Sequence, residues 1–380
     1  MISLPATTRK VHTRGTHRVC EPEETWERVS PHLAAAGITR VADVTRLDVI
    51  GVPVWQAVRP LSRNLSVSQG KGVTPMLARV SAVMEAIELW HAERVEIDAP
   101  AAPVREVPLP YVVDSLDLIN RNLLGGATVL HWVDGRGLRS ARTVPVPREY
   151  LEIDHTVADR WHPPLFLVTS NGLSSGNTVE EAVLHGLYEV IERDALARLL
   201  DTPRATWPRL DPHSVGGDDA PALIERIRAA GCEVSIAVAP SPTGLPVFMV
   251  EVWSPAYPQW FGGAGCHLDR EVALCRALTE AVQSRLTAIS GARDDVDAGV
   301  YTRVTDWCSP QVERAGGDMV GYDDLADCAA GDLADDLRGV VTAVERTTGV
   351  EPVAVDLSRE RIGIPVVRVV APGMRQASMH

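Results

Sequence analysis

Three segments of the chain combine many small and aliphatic residues with one sparse pattern of polar positions. Counting from Thr74, Thr178 and Asp269, polar side chains fall seven, eleven and fourteen residues later. On an α-helix these positions lie within an arc of roughly 60°. The pattern therefore predicts three helices, each with one polar face, made of Ser81, Glu85 and Glu88; His185, Glu189 and Glu192; and Arg276, Glu280 and Gln283.

The starts of these helices carry signals of their own. Threonine and aspartate are good N-caps, and Pro75 suits a first helical position. Glu181, three residues after Thr178, would complete a capping box. Each helix follows a Gly-containing stretch: residues 65–72 are predicted to be a polar loop and residues 260–265 a turn.

The remaining pattern alternates strands and helices. An N-terminal helix is expected over residues 21–36, with a kink or break at Pro31 and a stop at Gly37. Residues 165–170 are predicted to form a buried strand, and residues 301–350 are acidic and mostly helical by pattern. Another helix is expected near 220–230, and further strands over 38–45, 50–60, 127–133, 142–147, 233–240, 246–253, 353–358 and 364–372.

This order predicts an α+β (mixed α/β) fold in which the three polar helices line one cleft. No linker is long or low in complexity, so a clean boundary between separate domains is not expected. We predict one composite domain, built from an N-terminal segment (1–60), a core that carries the three helices (61–300) and a C-terminal α/β completion (301–380).

Composition narrows the class of protein. The 380 residues carry a net charge of −13, which argues against a nucleic-acid surface but not against a nucleotide or a basic peptide. The sequence contains no apolar run of membrane-spanning length, and its first ten residues lack the apolar centre of a signal peptide. We therefore expect a cytoplasmic protein that uses neither a membrane nor nucleic acid.

Six cysteines, at positions 20, 232, 266, 275, 308 and 328, contain no CxxC pair. This spacing argues against zinc and against a disulfide framework. The favoured interpretation is buried, unreactive thiols.

Two basic features precede the first polar helix. Arg9, Lys10, Arg14 and Arg18 make the N-terminus basic, and a solvated arm is favoured there over an arm that reaches a phosphate. Lys71 lies between two glycines, where a phosphate contact and a mobile surface loop are equally favoured.

Clustered carboxylates repel one another, and their burial is costly without cations. Magnesium takes oxygen ligands from a few carboxylates and from substrate phosphates. The helices therefore predict a site for magnesium and a nucleoside triphosphate. Arg193 and Arg276 would meet phosphate oxygens, while Ser81, Ser174 and Asn177 would offer uncharged hydrogen bonds. A solvated face would be favoured for one such helix, but three matching helices favour a shared cleft.

The same residues resemble the motifs of the YcaO family. Ser81, Glu85 and Glu88 match its SxxxExxER motif. Ser174 and Glu181, followed by Glu189, Glu192 and Arg193, match its second motif, and Arg276, Glu280 and Gln283 match RxxxExxQ. The resemblance covers residues 60–290 most strongly.

Two positions depart from the family pattern: Leu89 replaces an arginine and His185 replaces a glutamine. Leu89 removes one partner for a phosphate or an ion pair, whereas His185 can still form a hydrogen bond. Glu181 fits both a capping box and a magnesium ligand, and the resemblance favours the ligand.

The resemblance implies a YcaO-like fold and ATP and Mg²⁺ as cofactors. It implies magnesium ligands at Glu85, Glu88, Glu181, Glu189 and Glu192. It also implies ATP contacts, with no single catalytic residue singled out, from the following residues: Lys71, Ser81, Glu85, Ser174, Asn177, His185, Arg193, Arg276, Glu280 and Gln283.

In this family ATP activates a peptide backbone amide, and the attacking nucleophile decides the product. The N-terminal and C-terminal sequences look like stand-alone members that work with a TfuA-type protein, which implies thioamide formation in a precursor peptide. Azoline formation with a leader-binding partner and amidine formation remain alternatives, as does a non-catalytic scaffold that binds nucleotide and peptide. The family resemblance also implies a possible homodimer.

Overall fold

A computed structural model of the protein describes residues 7–156, 163–293, 295–296, 299–302 and 317–376. Its helices are α1 Pro22–Val29, α2 Pro75–Ala92, α3 Val179–Leu200, α4 Asp219–Ala229, α5 Arg270–Ser290, α6 Gly299–Thr302 and α7 Leu333–Thr348. Its strands are β1 Arg40–Asp43, β2 Val54–Val58, β3 Val67–Lys71, β4 Ala101–Pro103, β5 Val129–Gly137, β6 Thr143–Pro147, β7 Leu173–Ser175, β8 Arg209–Leu210, β9 Glu233–Val238, β10 Val247–Ser254, β11 Tyr257–Cys266, β12 Met319–Val320, β13 Val353–Asp356 and β14 Val366–Val370.

The strands form three sheets, and each predicted polar helix packs on a different one. The orders are β1-β2-β3, β11-β10-β9-β8-β12 and β4-β5-β13-β14-β7, with β6 paired to β5. Helix α2 covers β2 and β3, helix α5 covers β10 and β11, and helix α3 covers β14 and β7. Three clusters of buried apolar side chains lie behind these helices, one for each. The polar faces are left to line a common space, and the mixed α/β fold is confirmed.

Glycines let the helices approach their strands closely. A Cβ at Gly70 of β3 would lie 2.0 Å from the backbone nitrogen of Ala82 in α2. A Cβ at Gly263 of β11 would lie 2.1 Å from the nitrogen of Ala281 in α5. The predictions of a loop at 65–72 and a turn at 260–265 were therefore wrong, because these glycines mark close backbone contact within strands rather than chain reversal.

The helix starts were predicted correctly. The side chains of Thr74, Thr178 and Asp269 each accept a hydrogen bond from a backbone N–H in the first turn of α2, α3 and α5. The N-terminal helix breaks as expected: α1 ends at Val29, and a 3₁₀ turn that contains Pro31 follows.

Other expectations need correction. Residues 165–170 form no strand and contribute one isolated bridge, from Phe166 to Leu118. Within 301–350, helix α7 is confirmed, but residues 317–332 contain only β12 and a 3₁₀ turn at Tyr322–Asp324. Residues 303–316 of that predicted region lie outside the described residues. The helix near 220–230 and the eight further strands all appear, as α4 and as β1, β2, β5, β6, β9, β10, β13 and β14.

Hydrogen-bonded strands cross both segment boundaries drawn from the sequence. β2 pairs with β3 across position 60, while β13 and β14 pair with β5 and β7 across position 300. The three-segment division itself stays a prediction. Within the described ranges, no helix is long and apolar enough to cross a membrane.

Candidate functional site

A cleft of about 620 Å³ opens between α2, α3 and α5. It collects the polar faces of all three helices, as the shared spacing predicted. The predicted site residues that line it are Lys71, Ser81, Glu85, Glu88, Asn177, Glu181, His185, Glu189, Glu192, Arg193, Arg276, Glu280 and Gln283.

Ser174 is the one predicted site residue that does not line the cleft. It is fully buried, and its hydroxyl donates to the carbonyl of Ala182 at 2.8 Å. Its neighbour Ser175 lines the cleft instead, because successive side chains of strand β7 point to opposite faces. The backbone N–H and the hydroxyl of Ser175 both donate to Glu88.

Lys71 ends strand β3 and forms an ion pair with Glu280 across the cleft. The alternative of a mobile surface loop at this position is therefore wrong. Burial is the largest single effect on the pKa of Glu280 and would raise it, but Lys71, Arg193 and Arg276 together hold the pKa below its ordinary value.

In four other carboxylates of the cleft, nearby cations do not outweigh the effect of burial. Burial raises the pKa of Glu85 to about 7 and that of Glu88 to about 8, and for Glu88 the neighbouring acids Glu85 and Glu189 add to the effect. Burial likewise raises the pKa of Glu189 to about 7. Burial and the nearby Glu280 raise the pKa of Glu192, whose Oε2 is buried without a hydrogen-bond partner among the described residues.

Cationic and neutral donors face these acids. Arg193 lies 3.9 Å from Glu189. The Nε atom of Arg276 is buried and has no hydrogen-bond partner in the described part of the chain. Burial and the charges of Arg276 and Arg18 hold the pKa of His185 well below its usual range, so the ring is neutral near pH 7.

Glu181 holds the segment around Val19 rather than capping its own helix. Its Oε1 accepts hydrogen bonds from the backbone and side-chain nitrogens of Asn177, at 3.2 and 3.1 Å. Its Oε2 accepts from the backbone N–H of Val19 at 3.0 Å, and Arg18 lies 3.6 Å away. In a capping box the Glu181 carboxylate would accept from the backbone N–H of Thr178. It accepts instead from that of the preceding residue, Asn177. Its magnesium role stays a prediction.

The basic N-terminal arm (residues 7–20) is only in part the solvated arm favoured by the sequence: Arg9 and Arg14 are exposed, whereas Lys10 and Arg18 are not. Lys10 forms an ion pair with Asp336 at 2.6 Å, with the two side chains 5% and 0% exposed. Arg14 pairs with Asp219 at 2.9 Å. Arg18 lines the cleft together with Gly15 and Thr16, while Arg9 is exposed. The less favoured alternative, an arm that reaches a phosphate, stays a prediction, and Arg18 is the basic residue of the arm that lies at the cleft.

Sequence reasoning also missed an amide-rich part of the cleft wall. Gln69 in β3 accepts a hydrogen bond at its backbone carbonyl from the Gln283 side chain at 3.3 Å, and its side-chain carbonyl accepts one from Thr287. Leu89, at the motif position of an arginine, is buried and also lines the cleft. The alternation of side chains along β3 would have indicated Gln69 once that stretch was recognised as a strand.

Buried thiols were predicted correctly at Cys20, Cys232, Cys266 and Cys275 and wrongly at Cys328, which is exposed. Cys308 lies outside the described residues. Cys20 and Cys275 line the cleft, but burial raises the pKa of both thiols and so disfavours the reactive thiolate.

The acid-rich cleft has the donors that a magnesium-bound nucleotide needs. Buried carboxyls with raised pKa values gain most from a divalent cation, which favours their ionised form. Among the described residues, however, no three Asp, Glu, His or Cys side chains lie close enough to hold a metal by themselves. This arrangement fits magnesium, which commonly binds one or two carboxylates together with phosphate oxygens.

Comparison with known proteins identifies the family. The model of the family described as "YcaO cyclodehydratase, ATP- and Mg²⁺-binding" matches residues 69–375. This range contains the three polar helices α2, α3 and α5 and every predicted site residue. The chain therefore belongs to the YcaO family. The cofactors expected from the sequence, ATP and Mg²⁺, are those by which the family is described.

Individual relatives agree with this assignment. An uncharacterized protein of Mycobacterium tuberculosis is 39% identical over 386 residues, covering 96% of this chain and 83% of its own length. A Rhizobium leguminosarum protein described as lying in the tfuA 3′ region is 36% identical, covering 94% of this chain and 88% of its own length. The solved structure of YcaO from Methanopyrus kandleri, bound with AMPPCP and Mg²⁺, is 26% identical and superposes with a TM-score of 0.79 over 97% of this chain and 94% of its own.

Proposed function

We propose that the protein is an ATP-dependent enzyme that modifies backbone amides of a ribosomally made peptide or protein. The observation that carries this proposal is the three-helix cleft, where acids with raised pKa values face Lys71, Arg193 and Arg276. Such a mixture of carboxylates and cations suits a magnesium-bound triphosphate. The amide oxygen is a poor leaving group. ATP, when bound, supplies the phosphoryl group with which this oxygen can leave as phosphate.

In this proposal each part of the cleft has a separate task. Glu85, Glu88, Glu189 and Glu192 would hold magnesium, with Glu181 nearby at the arm. Arg193 and Arg276 would bind phosphate oxygens, and Lys71, held by Glu280, would supply a further cation. Ser81, Asn177, His185 and Gln283 would add uncharged hydrogen bonds. No side chain is assigned as the nucleophile, because the nucleophile in this chemistry comes from the substrate or from a second molecule.

We propose a thioamide as the product and a TfuA-type protein as the partner. The Rhizobium relative, which lies in a tfuA region, supports the partner. In the overall reaction hydrosulfide replaces the amide oxygen by sulfur. The oxygen leaves as part of phosphate together with the hydrosulfide proton, and ATP becomes ADP. We further propose that the protein forms a homodimer, as the resemblance implies. We also propose that it acts in the cytoplasm, where ATP and newly made peptides are available.

The first experiment tests the cleft alone. ATP is titrated calorimetrically into the protein with and without magnesium, and into Glu189→Gln and the exposed-residue control Glu225→Gln. Magnesium-dependent binding that is lost only in Glu189→Gln supports the nucleotide site. Equal binding by all three proteins would exclude Glu189 from it.

The second experiment tests the product. The protein, a TfuA-type partner, a candidate peptide, ATP, magnesium and sulfide are combined and the peptide is analysed by mass spectrometry. Exchange of oxygen for sulfur supports thioamide formation, whereas loss of water without sulfur indicates an azoline or amidine. Nucleotide binding without peptide-dependent release of ADP and phosphate would instead indicate a non-catalytic scaffold.

A further inference from the structure

One end of the cleft has an apolar wall, formed by Leu65, Met84, Leu89 and Leu173. All four side chains belong to, or pack against, the hydrophobic cluster behind α2. Leu89 and Leu173 are 5% and 3% exposed, whereas Leu65 and Met84 are half-buried. The hydrophobic core therefore reaches the surface of the cleft here. A ligand that covered these four residues, which we call the apolar wall, would remove apolar surface from water.

The apolar wall lies next to the acids that we propose as magnesium ligands. On α2, Leu89 directly follows Glu88. On β7, Leu173 and Ser175 are two residues apart and therefore point to the same face of the strand. The hydroxyl of Ser175 donates to Glu88 at 2.6 Å. Two elements thus each place one residue of the wall beside the same carboxylate.

The N-terminal arm lies at the opposite end of the cleft. A Cβ added to Gly15 of the arm would lie 2.6 Å from a methyl group of Val73, which stands just before α2. This helix is 18 residues long, about 27 Å at 1.5 Å per residue, and Leu89 lies in its last turn. The cleft therefore runs along α2 from an arm end to the apolar wall.

The arm end suits a nucleotide. Arg18 and Arg276 line the cleft there, and both also line a small cavity beside the arm. Val73 and Leu77 line the cleft at the same end and offer apolar contact to a base. A triphosphate bound by the two arginines would extend toward the acids. The apolar wall adjoins the far side of the acids, so it is left for the second ligand of the cleft.

The wall includes a position at which this chain departs from its family. The motif that ends at position 89 has an arginine there, and this chain has leucine. An arginine would bring a charge and several hydrogen-bond donors to this end of the cleft. Leu89 brings neither, so the wall contacts an apolar group better than a polar one.

We propose that the apolar wall is a specificity subsite for a large apolar side chain of the substrate peptide, next to the backbone amide that is modified. This inference rests on the proposed function, because it takes a peptide as the second ligand of the cleft. It adds a substrate class to that function: peptides with an aliphatic or aromatic residue beside the modified amide.

The test compares two probe peptides, acetyl-Gly-Leu-Gly-amide and acetyl-Gly-Asn-Gly-amide, whose central side chains have similar shapes and differ in polarity. Each peptide is titrated into the full-length protein saturated with AMPPCP and magnesium, and binding is followed by ligand-observed NMR. Met84→Gln and Leu65→Asn make the wall polar with little change in size. Met76→Gln is the matched control, because Met76 is a half-buried methionine of the same helix that lies outside the cleft lining. Thermal melts establish that all variants fold.

The leucine peptide is expected to bind about ten-fold or more tightly than the asparagine peptide in the unchanged protein and in Met76→Gln. This preference should shrink in Met84→Gln and in Leu65→Asn. Equal affinities for the two peptides in the unchanged protein, no saturable binding of either, or a full preference in both folded wall variants would overturn the subsite. A loss of AMPPCP affinity in the wall variants with unchanged peptide preference would assign the wall to the base of the nucleotide and would also overturn it.

The product assay separates this inference from the proposed function. A leucine preference without modification of any peptide contradicts the proposed function alone. Modification of peptides that shows no preference for an apolar neighbour of the modified amide contradicts the subsite alone.

Discussion

The backbone N–H and the hydroxyl of Ser175 both donate to the same carboxylate oxygen of Glu88, at 2.8 and 2.6 Å. This contact joins strand β7 to helix α2 and fixes one acid of the cleft. The hydroxyl bond is to a charged acceptor when Glu88 is ionised, and such bonds contribute about 1.5–3 kcal/mol.

Ser175→Ala is therefore expected to weaken magnesium-dependent ATP binding by about ten-fold or more, measured by calorimetry. Ser174→Ala is the matched control: its hydroxyl bonds to Ala182 on the other side of the strand, so it should lower Tm and leave ATP affinity unchanged. Equal ATP affinities for the two variants would contradict the assignment of Ser175.

Glu189→Gln and Glu85→Gln are each expected to abolish ATP turnover while keeping the fold. Both acids are buried, with their pKa raised to about 7, so a neutral amide resembles the protonated acid and costs little stability. Release of ADP and phosphate in the presence of peptide and partner measures the effect, and circular dichroism checks the fold. Near wild-type rates in both variants would remove the carboxylates from the proposed site.

The raised pKa values make stability and binding depend on pH in opposite ways. In the unfolded chain these carboxyls ionise near 4.5, whereas in the folded protein Glu85, Glu88 and Glu189 ionise at about 7 to 8. The folded state thus holds more protons between these values, and its stability falls as pH rises through them. We expect Tm without ligands to fall between about pH 5 and pH 8, and the fall to be smaller in Glu85→Gln.

Magnesium-bound ATP needs the ionised acids, so its affinity should rise over the upper part of the same range. Binding near pH 7 should also release protons, which calorimetry in buffers of different ionisation enthalpy detects. Binding without proton release would show that these acids are already ionised in the free protein.

Gly70→Ala is expected to destabilise the protein by about 1–3 kcal/mol or more, because the added Cβ would meet backbone atoms of α2 at 2.0 Å. Gly339→Ala is the control. Gly339 lies within α7, and a Cβ added there would have no other group within 4 Å, so alanine should stabilise by about 0.5–1 kcal/mol. Denaturant unfolding measures both, and a tolerated Gly70→Ala would contradict the close contact of β3 and α2.

Lys10→Met leaves the buried carboxylate of Asp336 without its cation. Removal of one partner of a buried ion pair costs about 3–5 kcal/mol, so the unfolding free energy should fall by that order. Arg9→Met, at an exposed neighbour, should have little effect. Adding Asp336→Asn to Lys10→Met should recover part of the loss, and strictly additive effects would show that the pair does not interact.

The sequence by itself determined the three polar helices, their caps and their shared cleft. Polar spacing along a helix is a local property, and the cap of Thr178 depends on residues only three positions apart. The same spacing carried the family resemblance, and with it the cofactors; nearly all the site residues predicted in this way do line the cleft. The sequence placed Ser174 rather than Ser175 at the cleft, because three residues are too few to show which face of strand β7 points inward.

Only the tertiary structure decided what the glycines and the basic arm do. Gly70 and Gly263 carry the same local preference in a turn as in a strand pressed against a helix, and the distant backbones of Ala82 and Ala281 make the difference. Lys10 pairs with Asp336 more than three hundred residues away, and the ring of His17 packs against that of His267, which in turn contacts the ring of Tyr188 in α3. Contacts of this range depend on how the elements pack together, and packing is not encoded in the order of neighbouring residues.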